Sequence, residues 1–433
     1  MKNLSVFQAI LLAVFGALAI SGILIFALVV GAGKGNTLGP ITIWGTLEAN
    51  PFVAVLRQVN ENDGRLSQVS YVQKDAQTYS RDLTEALASG TGPDLFLLRQ
   101  DYAVRDAGKV SLIPYSLLSQ SRFEDIFVGA GDSFLAAGGI LGIPIAVDPM
   151  VMYWNKDLLA AGGLARPPQY WDEFPEIAQK LVRRDSSGTI EKAAVAFGEF
   201  SNVDHAKDIV SMLILQAGGA ITQRDNTGRL LPTLSARTAG IASQGTESAL
   251  RFYTEFADPS KINYSWNRSL PSARAAFTAG DLAIYFGYAS EASSIPRANP
   301  NLNYAIAPVP QGRNASQTMN VARVYALAVA RTSRSPEAAK TVASLMGDAS
   351  FARLLSIALG LPSARRDVLS ERGQDRNELL VRETLIARSW LDPDPEKTDD
   401  VFRAMIQGIT SGSARLGEAI GRADQQMALI IGQ

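Results

Sequence analysis

The sequence predicts an α/β fold of two bodies joined by a crossing strand, and two stretches carry that expectation. Between Ile41 and Leu98, strand-like and helix-like runs alternate with short links, the pattern of a parallel sheet covered on both faces. Between Gly142 and Leu159 (GIPIAVDPMVMYWNKDLL), two strand-like runs, Ile143 to Val147 and Met150 to Trp154, meet through Asp148-Pro149 with no room for a turn. Proline has no backbone donor and holds the residue before it extended. The stretch therefore reads as one ribbon passing between two bodies, a hinge. A chain of 433 residues, 47% hydrophobic and 19% charged, is long enough for two or more domains.

Composition removes several classes of function. The balance of 41 basic against 42 acidic residues argues against a nucleic-acid partner, which needs a concentrated positive face. The absence of cysteine removes disulfides, thiolate metal sites and cysteine nucleophiles together. A single histidine, His205, leaves no histidine cluster for zinc and argues against a Ser-His-Asp triad; beside Asp204 it reads as a surface or helix-cap residue. No metal or cofactor is expected.

Leu4 to Val30 contains no ionisable side chain. As a helix it would be roughly 40 Å long against a hydrocarbon core of about 30 Å, which predicts a transmembrane anchor. The rival is a cleaved signal peptide ending near Val30-Gly31-Ala32, but its apolar stretch would be far longer than the usual ~7–15 residues. Lys2 and Lys34 flank the two ends, so positive charge barely decides orientation. Gly31 to Gly39 reads as a short flexible linker.

In the body, Ile41 to Trp44 is a strand, Gly45 to Glu48 a loop, and Pro51 opens a helix on which Val53, Leu56 and Val59 recur at helical spacing. Gln68 to Val72 is the second strand. Tyr79, Leu83, Ala86 and Leu87 mark one face of a helix that ends at Gly90, and Asp94 to Leu98 is the third strand. Ligands of such sheets sit at the carboxyl ends of the strands, which places Trp44 to Glu48 and Arg99 to Tyr102 on one rim. Beyond the crossing, Trp171-Asp172-Glu173 opens a helix with acids in its first turn, and Trp171 reads as core packing. Ala249, Phe252, Tyr253 and Phe256 share another helical face. A strand covers Leu282 to Phe286, with Gly287-Tyr288 at its carboxyl end. Ser335-Pro336-Glu337 starts a helix, Asp392 to Asp400 is a loop, and Leu416 to Ile430 is a docked terminal helix.

The crossing stretch continues as GIPIAVDPMVMYWNKDLLAAGG, followed by ARPPQYWDEF. Downstream come AAFTAGDLAIYFGYAS (275–290), YAIAPVPQG (304–312), VYALAVA (324–330) and Gly360-Leu361-Pro362. In this order they resemble the bacterial extracellular solute-binding proteins of family 1, the sugar-type, maltose-binding-protein-like receptors of ABC importers. The resemblance runs from about Ile41 to the C-terminus. It implies a two-lobe periplasmic-binding-protein-like fold (type II), here behind an N-terminal transmembrane helix. The expected segments are anchor and linker at 1–38, lobe 1 at 39–148 and 284–315, and lobe 2 at 149–283 and 316–433. The implied protein is a monomeric, non-enzymatic receptor, single-pass in the cell membrane with its body on the extracytoplasmic side. It would capture a small polar solute, a sugar or oligosaccharide, and deliver it to ABC permease subunits. Aromatic faces cover sugar C–H surfaces while carboxylates and amides take the hydroxyl hydrogens.

Carried over residue by residue, the resemblance puts Glu48 at a ligand-contacting carboxylate position and Asp101 and Tyr102 in the loop after the third strand. Asp148 becomes the hinge acid and Tyr288 the stacking aromatic. Trp44, Trp266 and Trp390 complete the candidate ligand-binding set. Leu98 stands where sugar-binding members often have a tryptophan, which speaks against a maltodextrin-like ligand. The structural alternatives are core packing for Trp44, solvated loop positions for Glu48, Asp101 and Tyr102, and purely architectural roles for Asp148 and Tyr288. Two other functions stay open: a membrane-anchored glycoside hydrolase using a carboxylate pair among Glu48, Asp101 and Asp148, and a non-transport receptor or scaffold that has lost its ligand.

Overall fold

The computed structural model describes residues 38–235, 242–371 and 377–432, so the expected membrane helix lies outside the described residues. Three parallel strands, β1 (Ile41–Gly45), β2 (Val69–Gln73) and β3 (Leu95–Arg99), alternate with helices α1 (Ala49–Asn62) and α2 (Tyr79–Ser89). Gly90 ends α2 at φ 71, the left-handed cap that a side chain would disfavour.

The crossing stretch is one thirteen-residue strand, β4 (Ile143–Asn155). After it come α3 (Phe174–Leu181), the short β5 (Arg183–Arg184), β6 (Ile190–Val195), α4 (Ala206–Gln216), α5 (Ala242–Glu255) and α6 (Ala273–Ala279). Then follow β7 (Leu282–Tyr288), β8 (Tyr304–Ala307), β9 (Asn320–Val329), α7 (Pro336–Met346) and α8 (Ala349–Leu359). The chain finishes with α9 (Glu378–Leu385), β10 (Ala387–Arg388), α10 (Pro395–Thr410) and α11 (Leu416–Ile431). A ten-stranded sheet runs β2-β1-β3-β9-β4-β7-β6-β5, with β8 on β4 and β10 on β9.

This sheet serves two hydrophobic cores, and β4 belongs to both. Its residues up to Val147 pack with Phe52, Phe96, Val324 and Val342; those from Met150 onward pack with Trp171, Phe197, Trp266, Phe286 and Phe402. The ladder changes partner at the same place, since Ile143 to Pro149 pair with β9 while Met150 to Trp154 pair with β7. Pro149, which cannot donate, falls at that changeover.

The two cores divide the chain differently from the expected segments. Residues 284–309 belong with the second lobe, because β7 pairs with β6 and with the far half of β4. Residues 322–369 belong with the first lobe, because β9 inserts antiparallel beside β3. The chain returns to lobe 1 between β8 and β9, later than the sequence suggested. The acidic stretch at 392–400 is also not a loop throughout. Asp394 accepts hydrogen bonds from the backbone of Glu396 (3.2 Å) and Lys397 (3.4 Å), and Pro395 sits at the first helical position, so α10 starts there.

Among the described residues no single helix is long and apolar enough to cross a membrane; α7 and α8 together have the composition but are bent by 69°.

Candidate functional site

A cleft of about 530 Å³ opens between the lobes. One wall is the turn after β3, Arg99 to Tyr102; the other is Phe200, Val203, the first turn of α4 and the first two turns of α10; Tyr288 and Arg323 lie between them. The β3 turn is pinned to a crossing strand, since Gln100 Oε1 accepts from the Val324 amide at 2.7 Å.

The cleft is densely charged, and most of its charges are matched. Arg99 grips Asp101 with both arms of its guanidinium, at 2.6 and 2.5 Å. Burial works to raise the Asp101 carboxyl, but the Arg99 guanidinium outweighs it and holds the acid below its usual range. Lys207 spends its three donors on Asp392 (3.2 Å), the Pro395 carbonyl (2.9 Å) and Thr398 (3.2 Å). Burial pushes Asp392 up to about 6, against the pull of Lys207. Arg403 holds Asp399 (2.9 Å) and Asp400 (2.5 Å). Arg105 reaches across from lobe 1 to Glu396 on α10 at 3.0 Å.

Arg323 is held differently. Its guanidinium lies on the face of Tyr288, 3.8 Å from the ring centre, and donates to His205 Nδ1 at 3.3 Å. An arginine can only donate, so this imidazole offers a lone pair at Nδ1 and carries its proton on Nε2, which donates to Glu291 at 2.8 Å. Glu291 also accepts from the Tyr285 hydroxyl (2.7 Å) and the Tyr288 amide (2.8 Å). Burial works to raise Glu291, yet these bonds, His205 first, bring it down to about 2. Room for the carboxylate comes from Gly287, where a Cβ would fall 2.9 Å from Glu291 Oε1 and 2.6 Å from the Tyr285 ring. His205 has φ 62, the one positive value at a non-glycine among the described residues.

The model of the bacterial extracellular solute-binding protein family matches residues 67–350, about two thirds of the chain. This chain belongs to that family. Among curated relatives, a binding protein of Brucella abortus is 22% identical over 239 residues, 53% of this chain and 52% of that protein. The maltotriose-binding protein of Pyrococcus abyssi is 22% identical over 143 residues, 33% of this chain and 30% of that one. The chain thus spans about half, at most, of the length of these curated relatives. Among solved structures, the cyclic α-maltosyl-1,6-maltose binding protein of Arthrobacter globiformis has a TM-score of 0.72 at 16% identity, covering 91% of this chain and 99% of that one. An ABC transporter solute-binding protein of Thermotoga lettingae, bound to α-D-tagatose, has a TM-score of 0.67 at 20% identity, covering 91% and 100%. At such identities the likeness shows the two-lobe fold.

Within this solute-binding protein, three of the residues singled out from sequence line the cleft: Asp101, Tyr102 and Tyr288. Tyr288 is only 2% exposed, and its ring is taken by Arg323 and by the edge-on His205, 4.9 Å between centres. It is therefore a platform for a guanidinium and not an open stacking face. The guanidinium of Arg105, 4.3 Å from the Tyr102 ring centre, likewise covers that ring. Asp148 lies beneath the cleft, buried, with both oxygens on Ser290, at 2.9 Å to the amide and 2.6 Å to the hydroxyl. Burial pushes its carboxyl up, against those bonds.

The other four are not brought to the cleft wall. Trp44 lies under Lys74, 3.5 Å from its ring centre. Glu48 is exposed where α1 begins. Trp266 is 0% exposed in the lobe 2 core, its indole donating to Asn202 at 3.2 Å. Trp390 packs on Phe402, 6.2 Å between ring centres. Sequence reasoning missed Arg99, His205, Lys207, Asp208, Arg323 and Arg403. Only Arg99, at a strand's carboxyl end on the expected rim, carried a local signal.

Proposed function

We propose that this chain is an extracytoplasmic receptor that captures a small polar solute, a sugar or oligosaccharide, between its lobes and presents it to an ABC permease. The observation carrying this reading is a cleft walled by both lobes, with the two long crossing strands β4 and β9 joining them. Closing such a jaw brings the two walls of polar side chains together around a guest, and a solute shifts the open–closed population only through tighter binding to the closed form. The sugar-binding names of the structural neighbours support the choice of solute class, and the apolar segment at residues 4–30 supports attachment to the membrane.

Thermal unfolding of the full-length chain in detergent, screened against sugars and polyols, tests the reading. A true solute at about a hundred times its Kd adds about 2.7 kcal/mol of stability. A panel that leaves the melting temperature unmoved would count against capture. Turnover of an oligosaccharide would instead favour a hydrolase, although Asp101 is held by Arg99, Asp148 by Ser290, and Glu48 is exposed at the start of α1.

A further inference from the structure

Among the described residues lining the cleft, Arg323 is the one guanidinium that makes no hydrogen bond to a carboxylate. Arg99, Arg105, Lys207 and Arg403 each hold a carboxylate within 3.2 Å. Arg323 has only a long ion pair, to Asp208 at 4.0 Å, and that acid sits beside the Tyr288 phenol. Of the five N–H donors of this guanidinium, the contact to His205 uses one.

Its position is nonetheless set in advance. The Tyr288 face supports it from below, and the His205–Glu291–Tyr285 chain fixes it from the side. Its side chain, 26% exposed, reaches the cleft it lines. The sheet adds a second positive group nearby. Arg99 on β3 pairs directly with Tyr325 on β9, and Arg323 stands two residues along from Tyr325. Residues two apart share a face, and such diagonal neighbours lie about 7–8 Å apart, so two guanidinium groups project from one face of the sheet. Like charges so placed disfavour each other; burial first, then Arg99, acts against the Arg323 charge, while Tyr288 and Asp208 outweigh them and hold it above the usual arginine range. The first turn of α4, whose helix end is positive, faces the same space.

We propose that Arg323 is the specificity-determining residue of the cleft and selects a sugar bearing an anionic oxygen group, a carboxylate or a phosphate, over the neutral sugar. A planar guanidinium with free parallel donors matches two such oxygens at once. An anion also gives this guanidinium a close counter-charge, where its own partner Asp208 stands 4.0 Å away, which a neutral hydroxyl cannot do. The inference rests on the receptor reading above and narrows its substrate class.

Calorimetric titration of the full-length chain in detergent tests it with matched pairs: glucose against glucuronate, galactose against galacturonate, and glucose against glucose 6-phosphate. The charged member of at least one pair binds on the order of 10–100-fold more tightly, and added salt weakens it. The carboxylate and phosphate arms show which group fits. Arg323→Gln abolishes the preference for the charged member of the pair, while Arg323→Lys, which keeps the charge without the fork, restores part of it. The wild-type comparison stands by itself if a variant misfolds. Neutral sugars bound as tightly as their charged partners overturn the inference and leave the receptor reading intact. Binding of no sugar, charged or neutral, removes both.

Discussion

Asp148 shows how much one buried carboxylate can hold in place. It sits where β4 changes both core and ladder partner, and it ties that point to the turn after β7 through Ser290. Asp148→Ala removes two hydrogen bonds to Ser290, an exposed residue whose donors water can then reach, with an expected loss of about 1–3 kcal/mol in urea unfolding. An unchanged unfolding midpoint would mean that the hinge tolerates the loss. Trp266 offers the opposite test. It is wholly enclosed in the lobe 2 core. Trp266→Ala should cost about 3–5 kcal/mol of stability while leaving solute affinity per folded molecule as it was. Loss of affinity without loss of stability would return this tryptophan to the binding site.

At the scale of elements, the return crossing between β8 and β9 carries an unusual acid. Glu383 on α9 is fully buried, accepts from Asn320 at the start of β9 (2.9 Å) and from the Val309 amide (3.4 Å), and leaves its other oxygen without a hydrogen bond. Burial pushes it from 4.5 up to about 7. The folded chain therefore holds this proton more tightly than the unfolded one. Its contribution to stability is fully present below about pH 4.5 and is lost as the pH rises through about 7. The loss amounts to roughly 3 kcal/mol at most. Glu383→Gln should flatten that slope and be the more stable form at pH 8.5, as urea midpoints at pH 5 and pH 8.5 would show. The same slope in both proteins would assign the pH dependence elsewhere.

For the whole molecule, one contact across the cleft is the ion pair of Arg105 with Glu396, which spans the lobes at 3.0 Å. Glu396 is largely exposed, so salt screens the pair and it contributes at most about 1 kcal/mol. Glu396→Gln should shift the population modestly toward the open form, visible as a larger radius in small-angle scattering at low salt and unseen at high salt. A shift that persists at high salt would point to packing rather than charge.

Much of this was legible along the chain. Alternating periods placed β1 to β3 and their helices, and Asp148-Pro149 marked the crossing, because helix and strand periods and proline chemistry act over a few residues. The order Asp394-Pro395-Glu396 was an equally local cap signal, hidden inside an acidic run that reads as loop. The lobe to which residues 284–309 belong was not legible, since it depends on β7 pairing with the far half of β4 and β9 slipping in beside β3. Nor was the cleft chemistry. Arg323 meets His205 over 118 residues and His205 meets Glu291 over 86. The sequence by itself determined the family, most of the elements and the crossing strand, which follow from short-range patterns. Only the tertiary structure decided which charges face one another, because strand register between distant segments sets that.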